Sequence, residues 1–393
     1  MRDIRFKHNC RHIKKMNILI VDDSVFNRVV MEKILKAEGY ENLTVLSSAI
    51  EVFQLLESSH SKERTIPIDL ILMDNIMPEM SGIEACERLK KNEKYMDVPV
   101  IMITAKDDDI EYAFNAGALD YVTRPFKKEE LLARIYLTLN LKYLINQQKE
   151  REQRLLHEID LAKSIQTSVL TPPIKNEQID IDAFYEPSAG LSGDMYYCGQ
   201  IDANKYGIFI MDVAGHGISS ALISMSLRSL LDGMIKKGLD PREVIAEMNN
   251  HIFRLYQTTK GRAYLTALYL IIDTNEKTIE YVNAGHPPAL VFHPDSQVSH
   301  LSRTTIPVGA RHGIEVQKEI LHFTDSVQLF LYTDGLVEVP KQSIKAGIAD
   351  LEEAILEIQH LDNTPFFAHL LARRREIAAV NDDVCLVRVR ITI

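Results

Sequence analysis

The sequence predicts a doubly wound α/β unit, then a long helix, then a larger α+β unit. Three observations carry that prediction. Residues 16 to 126 alternate five short apolar runs with four amphipathic segments. Residues 128 to 171 contain neither glycine nor proline. From Asp180 onward strand signals dominate, with helices set between them.

In the first unit NILIV, LTVLS, DLILM, VPVIMIT and DYVT read as strands. SVFNRVVMEKILKAEG, AIEVFQLLES, GIEACERLKKN and DDIEYAFNAG read as the intervening helices. Strand alternating with helix implies a parallel sheet covered on both faces. Functional groups in such a fold collect at the carboxyl ends of its strands.

The glycine-free segment is rich in Leu, Glu, Lys, Arg and Gln, all good helix formers. Leu141, Leu144, Leu155, Ala162, Ile165 and Val169 form a seam at three- and four-residue steps, interrupted by Gln148, Arg151 and Glu158. One long helix is expected, joining two domains and forming a coiled coil with a second chain. The alternative is a lone helix packed on its own domain. Beyond it, SSALISMSLRSLLDGMIKKG and PREVIAEMNNHIFRLYQ are helical by apolar spacing, with Pro241 in a first turn. YLTALYLIID, TIEYVNAG, ALVFH, SVQLFLYTDG and DVCLVRVRI read as strands, and residues 341 to 380 as helical.

Composition excludes some functions. The net charge of −10 and the lack of a basic recognition helix argue against nucleic-acid binding. MRDIRFKHNCRHIKK is basic but lacks the apolar centre of a signal peptide, and is expected to be a disordered extension before Met16. No apolar run approaches the roughly 18 residues that span a bilayer, so no membrane partner is expected. Cys10, Cys86, Cys198 and Cys385 form no CxxC pair, which fits a reducing cytoplasm.

Two acidic constellations carry chemistry. Asp22 and Asp23 end the first strand, Asp74 ends the third, and Thr104 ends the fourth. A parallel sheet gathers these ends, and three carboxylates in one pocket call for a hard cation such as Mg²⁺. A carboxylate held beside that ion can attack a phosphoryl group while a hydroxyl stabilises the developing charge. The second set is Asp194, Asp212, Asp334 and Asp382, each at a strand end. One such aspartate is a turn residue; four in one unit favour a cation site. Carboxylates without histidine or cysteine select Mg²⁺ or Mn²⁺ over zinc. Enough of them for two ions imply metal-assisted phosphoester hydrolysis.

These motifs also carry resemblances. Residues 16–127 resemble a response-regulator receiver domain. That resemblance implies Asp74 as phosphoacceptor, Asp22 and Asp23 as the acidic metal pair, Thr104 as switch hydroxyl and Tyr121 as switch aromatic. The family's K-P-F turn is RPF here, so Arg124, a planar fork, stands where a compact ammonium is usual. SGDMYY, DVAGHG, NAGHPP, YTDGLVE and NDDVCLV, in that order, resemble the metal-dependent serine/threonine phosphatases of type 2C (PPM), in the bacterial branch typified by RsbU and SpoIIE. LAKSIQTSVLTP resembles that branch's linker signature.

The resemblance implies a β-sandwich flanked by helices over residues 173–393; the helical linker then spans 128–172, and residues 1–15 are the extension. It implies Asp212 as a bridge between two Mn²⁺ or Mg²⁺ ions, with the Val213 carbonyl as a further ligand. Asp334 and Asp382 complete one metal and Asp194 serves the other. His216 is the implied proton donor, with a turn histidine as the alternative; His286 lies in a loop near the cleft. The second aspartate frequent in GD-x-Y-D is Tyr197 here. The implied partners are a sensor histidine kinase or phosphotransfer protein, and a phosphorylated STAS-type anti-sigma-factor antagonist. A receiver-controlled, non-catalytic adaptor is the alternative from another class.

Overall fold

The computed structural model describes residues 11–58, 67–105, 110–188, 190–215, 217–256, 263–377 and 382–392. The chain divides into two compact units between Leu155 and Leu156.

The first unit holds strands β1 (Asn17–Val21), β2 (Asn42–Leu46), β3 (Leu70–Asp74), β4 (Val100–Thr104) and β5 (Asp120–Thr123). Between them run helices α1 (Val25–Glu38), α2 (Ala49–Ser58), α3 (Gly82–Lys90) and α4 (Ile110–Asn115). Every strand pairing is parallel, in the order β2-β1-β3-β4-β5. Alternation sends Leu19, Val21, Ile71 and Met73 into one core, and Ile18, Ile20, Leu70 and Leu72 into another, one on each face of the sheet. That double covering explains why β1, β3 and β4 read as apolar runs rather than as alternating patterns. Of the extension expected to be disordered, residues 11–13 are helical and Ile13 is fully buried against Ile18 and Leu35 in the same core. Ordered structure therefore begins before Met16, because Ile13 is one of the unit's core residues.

Helix α5 runs from Lys128 to Ser168, as its glycine-free composition requires. Leu131, Ile135 and Leu139 of its first turns are fully buried in the core of the first unit. Of the expected seam, Leu141, Leu144, Leu155 and Ile165 are exposed, and Val169 lies just past the helix.

The second unit is a sandwich of two antiparallel sheets. The first has the order β14-β11-β10-β9-β8, from β8 (Met195–Gln200), β9 (Lys205–Val213), β10 (Leu265–Asp273), β11 (Thr278–Ala284) and β14 (Glu319–His322). The second has the order β13-β12-β15-β16-β7-β6, from β6 (Ile174–Lys175), β7 (Ile179–Glu186), β12 (Ala289–Phe292), β13 (Val298–Leu301), β15 (Val327–Tyr332) and β16 (Val384–Ile391). Ile208, Ile210, Leu268 and Leu270 meet Leu329, Leu331, Val387 and Val389 between the sheets. Helices α6 (Ile218–Ile235) and α7 (Pro241–Leu255) cover the outer face of the first sheet, through Leu227, Leu231, Ile245 and Met248. Helices α8 (Ile344–Ile358) and α9 (Asn363–Ile377) cover the second, through Leu351, Ile355, Phe366 and Leu370. The sandwich with flanking helices is thus the expected one.

Two details differ from expectation. Helix α6 is long and apolar enough to cross a membrane by length and composition, contrary to the reading of the sequence; here it buries Leu227, Leu231 and Ile235 against the sheet. The short strands β6, β13 and β14 carry no pattern long enough to read.

Candidate functional site

In the first unit β1 lies beside both β2 and β3, so the chain leaves β1 and β3 on either side of a topological switch point. Asp22 and Asp23 follow β1 there, and Asp74 closes β3. Ligand atoms of these three residues lie within 4.8 Å of one another. Asp22 and Asp74 are buried and Asp23 is exposed. Burial pushes the Asp74 carboxyl up to about 6, opposed by Arg124 and reinforced by Asp22 and Asp23. A cation is therefore what the pocket favours.

The protein supplies one itself. Arg124 reaches Asp22 Oδ2 with Nη2, and its Nη1 lies 3.1 Å from Asp74 Oδ1. The other Asp22 oxygen accepts from the Ser24 amide at 2.9 Å and from Asn27 Nδ2 at 3.2 Å. Thr104 is buried at the end of β4, beside Thr123, and its carbonyl accepts from the Arg124 amide at 2.8 Å. Tyr121 stacks edge-on against Phe114, with Arg134 over its ring. All the residues expected at this pocket lie on β1, β3, β4 and β5 or just beyond their ends.

In the second unit β8 and β9 pair with Met195 opposite Met211, which sets Asp194 and Asp212 against each other across the two strands. Alternation puts Asp212 on the face of Ile208 and Ile210, toward the space between the sheets. Asp334 follows β15 and Asp382 precedes β16, and Tyr332 pairs with Leu386. The four carboxylates therefore share one end of the sandwich. Their fields act on one another. Burial, then Asp334 and Asp382, push Asp212 up to about 7. Burial, then Asp382, push Asp334 up to about 6. Asp194 is driven well above the carboxylate range by burial and then by Asp212. Asp194 is 2% exposed, and its Oδ2 has no hydrogen-bond partner among the described residues. A buried, unpartnered carboxylate oxygen facing like charges fits a divalent cation. No three of these four meet the spacing of the first pocket among the described residues.

Backbone close to the site is held by glycine. A Cβ on Gly193 would stand 2.8 Å from the Val213 carbonyl, and one on Gly335 would stand 2.1 Å from the Asp383 carbonyl. The Val213 carbonyl expected as a ligand thus passes directly beside the Asp194 segment.

Asp383, beside the expected ligand Asp382, fastens this end of the sandwich. Its Oδ1 accepts from the Ser188 amide at 2.8 Å and hydroxyl at 2.9 Å, and its Oδ2 from the Gly193 amide at 3.0 Å. Both oxygens are taken, which leaves the neighbouring Asp382 as the carboxylate open to solvent. A cavity of about 290 Å³ opens beside Asp382, lined also by Glu186, Pro187, Ser188 and Arg375. His216 lies outside the described residues. His286 is buried, its Nδ1 2.8 Å from Thr266 Oγ1, and burial pushes it down to about 3. Thr266 is the β10 partner of Asp212. Tyr197 turns away from the carboxylates. Its offset of three from Asp194 puts it on the opposite face of the strand, where its hydroxyl donates to Asp232 and Arg228 lies over its ring.

Comparison with known proteins follows this division. The model of the response regulator receiver domain matches residues 18–136, and that of Stage II sporulation protein E (SpoIIE) matches residues 202–392. The phosphoserine phosphatase RsbP of Bacillus subtilis (strain 168) is 42% identical over 244 residues, covering 59% of this chain and 57% of that protein. The transcriptional regulatory protein YvrH of the same organism is 35% identical over 133 residues, covering 33% of this chain and 52% of its own length. The chain thus spans little more than half the length of these relatives. Among solved structures, the SiaA-PP2C domain of Pseudomonas aeruginosa is similar in fold, with a TM-score of 0.50 at 16% identity, covering 61% of this chain and 98% of that one.

Proposed function

Because the chain joins a response regulator receiver domain to a SpoIIE-family phosphatase fold, we propose that it is a phosphorylation-controlled, metal-dependent protein serine/threonine phosphatase. The observation that carries this reading is the meeting of Asp194, Asp212, Asp334 and Asp382 at one end of the sandwich, with Asp194 Oδ2 buried and unpartnered among the described residues.

Asp212, with the Val213 carbonyl as a further donor, would help hold two Mn²⁺ or Mg²⁺ ions. Asp334 and Asp382 would hold one ion and Asp194 the other. Bound there, the ions would supply an activated water and neutralise phosphoryl oxygens. His216 gives a proton to the leaving serine or threonine oxygen. The cavity beside Asp382 admits the substrate's phosphorylated segment from solvent. RsbP, a phosphoserine phosphatase by name, supports phosphoserine as the group removed. A STAS-type anti-sigma-factor antagonist is the proposed substrate.

Asp74 accepts the phosphoryl group from a sensor histidine kinase or a phosphotransfer protein, and Asp22, Asp23 and Asp74 would hold one Mg²⁺ to neutralise the charge. Thr104, Tyr121 and Arg124 respond to the new charge. Helix α5 transmits the change, in a homodimer joined along Leu141, Leu144 and Leu155, which are exposed in the single chain. The reaction takes place in the cytoplasm.

The test is Mn²⁺-dependent hydrolysis of a generic phosphoester, comparing the wild type with Asp212→Asn, with and without a small phosphoryl donor. Loss of about a hundredfold or more in Asp212→Asn, and a rate that responds to the donor only while Asp74 is present, are expected. A folded wild type with no activity under any condition would instead favour the adaptor.

A further inference from the structure

Helix α5 ends in a contact that its apolar spacing does not foretell. Gln166, in its last turn, is 2% exposed. Its Nε2 donates to the Ser192 carbonyl at 2.8 Å, and its Oε1 accepts from the Ser192 amide at 3.1 Å. The carboxamide thus pairs with both backbone groups of one residue, as a neighbouring strand would. Ser224 of α6 backs the contact, 3.4 Å from Gln166 Nε2 and 3.4 Å from the Ser192 carbonyl. Ser192 is fully buried, and its hydroxyl accepts from the Asp194 amide at 3.0 Å. Ser192, gripped by Gln166, is thus only two residues along the chain from Asp194, whose Oδ2 is unpartnered among the described residues.

Gln166 is the one polar side chain of α5 whose burial this contact explains, and it has no exchangeable substitute beside it. A helix turns about 100° per residue, so a one-residue rotation of the last turn would present Ile165 or Thr167 to Ser192. Ile165 has no polar group, and Thr167 carries a hydroxyl too short to bridge both backbone atoms. Either would leave buried amide and carbonyl groups unpaired.

We propose that Gln166 is a positioning residue. By gripping Ser192 it holds the Ser192–Gly193–Asp194 segment so that Asp194 points into the carboxylate cluster, and any rotation of the end of α5 is felt there as weaker metal binding. This inference rests on the metallophosphatase reading above.

Two variants test it. Gln166→Ala removes both bonds. Gln166→Glu keeps an acceptor for the Ser192 amide but removes the donor to its carbonyl. Hydrogen exchange at residues 190–195 and the Mn²⁺ concentration giving half-maximal phosphoester hydrolysis are measured on the full chain. Outer partners of metal ligands typically set affinity by about ten- to a hundredfold. The expected result is a shift of that size in the Mn²⁺ requirement of Gln166→Ala, with the rate at saturating Mn²⁺ within about threefold of wild type. Exchange should accelerate at 190–195 while β9 and β10 stay protected, and Gln166→Glu should fall between. A purely structural role would instead lower the unfolding temperature and leave the Mn²⁺ requirement alone. Wild-type exchange and wild-type Mn²⁺ dependence in a folded Gln166→Ala overturn the proposal. If Gln166→Ala does not fold, Gln166→Glu decides by the same two readouts. If the wild type itself hydrolyses no phosphoester, the metallophosphatase reading falls, and unchanged exchange at 190–195 then overturns the role of Gln166 separately.

Discussion

Arg124 Nη1 lies 3.1 Å from Asp74 Oδ1 while the other arm of the same guanidinium holds Asp22. The residue that departs from the family's lysine thus ties the expected phosphoacceptor to an expected metal ligand. A planar fork can do this; a single ammonium cannot grip both carboxylates as well. The tethered charge competes with Mg²⁺ for the pocket. Arg124→Ala should therefore tighten Mg²⁺ binding by about tenfold, because removing a unit charge at such a distance is worth a few kcal/mol before solvent screening. Arg124→Lys should lie between. Titration calorimetry at constant ionic strength measures this, and weaker binding in Arg124→Ala would contradict it.

Divalent metal should stabilise the second unit. Asp194, Asp212 and Asp334 all resist ionisation together, and an ion relieves that repulsion. At a Mn²⁺ concentration a hundred times the dissociation constant the gain is about 2.7 kcal/mol. Calorimetry should show the melting of this unit move upward with Mn²⁺ and return on chelation. Asp212→Asn should lose most of that rise.

Tyr197 offers a test of orientation. Were it a lapsed metal ligand, Tyr197→Asp would improve metal binding. Its hydroxyl instead meets Asp232, 3.2 Å away on α6. Tyr197→Asp would bury a carboxylate facing another, at a cost of roughly 3 kcal/mol or more. Tyr197→Phe should cost about 1 kcal/mol, the net worth of the hydrogen bond. Chemical denaturation distinguishes the two outcomes, and an Asp variant as stable as wild type would contradict the placement.

Asp240 gives a pH signature away from either site. It caps α7, accepting from the Arg242 amide at 2.9 Å, and also meets Lys318 Nζ at 2.7 Å. Partial burial would raise its carboxyl, but the bonds from Arg242 and Lys318 win and hold it below the usual range. A folded pKa below the unfolded one means that the contribution is present above about pH 4 and is lost as pH falls further. Asp240→Ala should therefore cost about 1–2 kcal/mol at pH 7 and at pH 5 alike. The difference from wild type should shrink below pH 4.

The acidic constellations were legible because each aspartate adjoins a strand whose apolar run is itself plain: Asp74 after LILM, Asp212 after GIFIM, Asp334 two residues after LFLY. The strand marks the position, and the fold class says which ends converge. Asp383 was harder. It stands next to Asp382, and only the placement of Ser188 and Gly193 in space gives it its donors. Gln166 was hidden for a related reason: glutamine is a good helix former, and nothing in its spacing tells a solvated carboxamide from one facing Ser192. Tyr197 could have been read better. Its odd offset from Asp194 along a strand already places the two side chains on opposite faces.

The position of β16 bears on how the protein is made. This strand is the latest in sequence of the six-stranded sheet, yet it lies inside it, between β15 and β7. Strand β7 was synthesised some two hundred residues earlier and, among the described residues, has no strand partner but the two-residue β6 until β16 arrives. The first unit needs nothing from downstream of α5 to complete its sheet. During translation the first unit can therefore fold well before the second, whose carboxylates Asp382 and Asp383 leave the ribosome with β16.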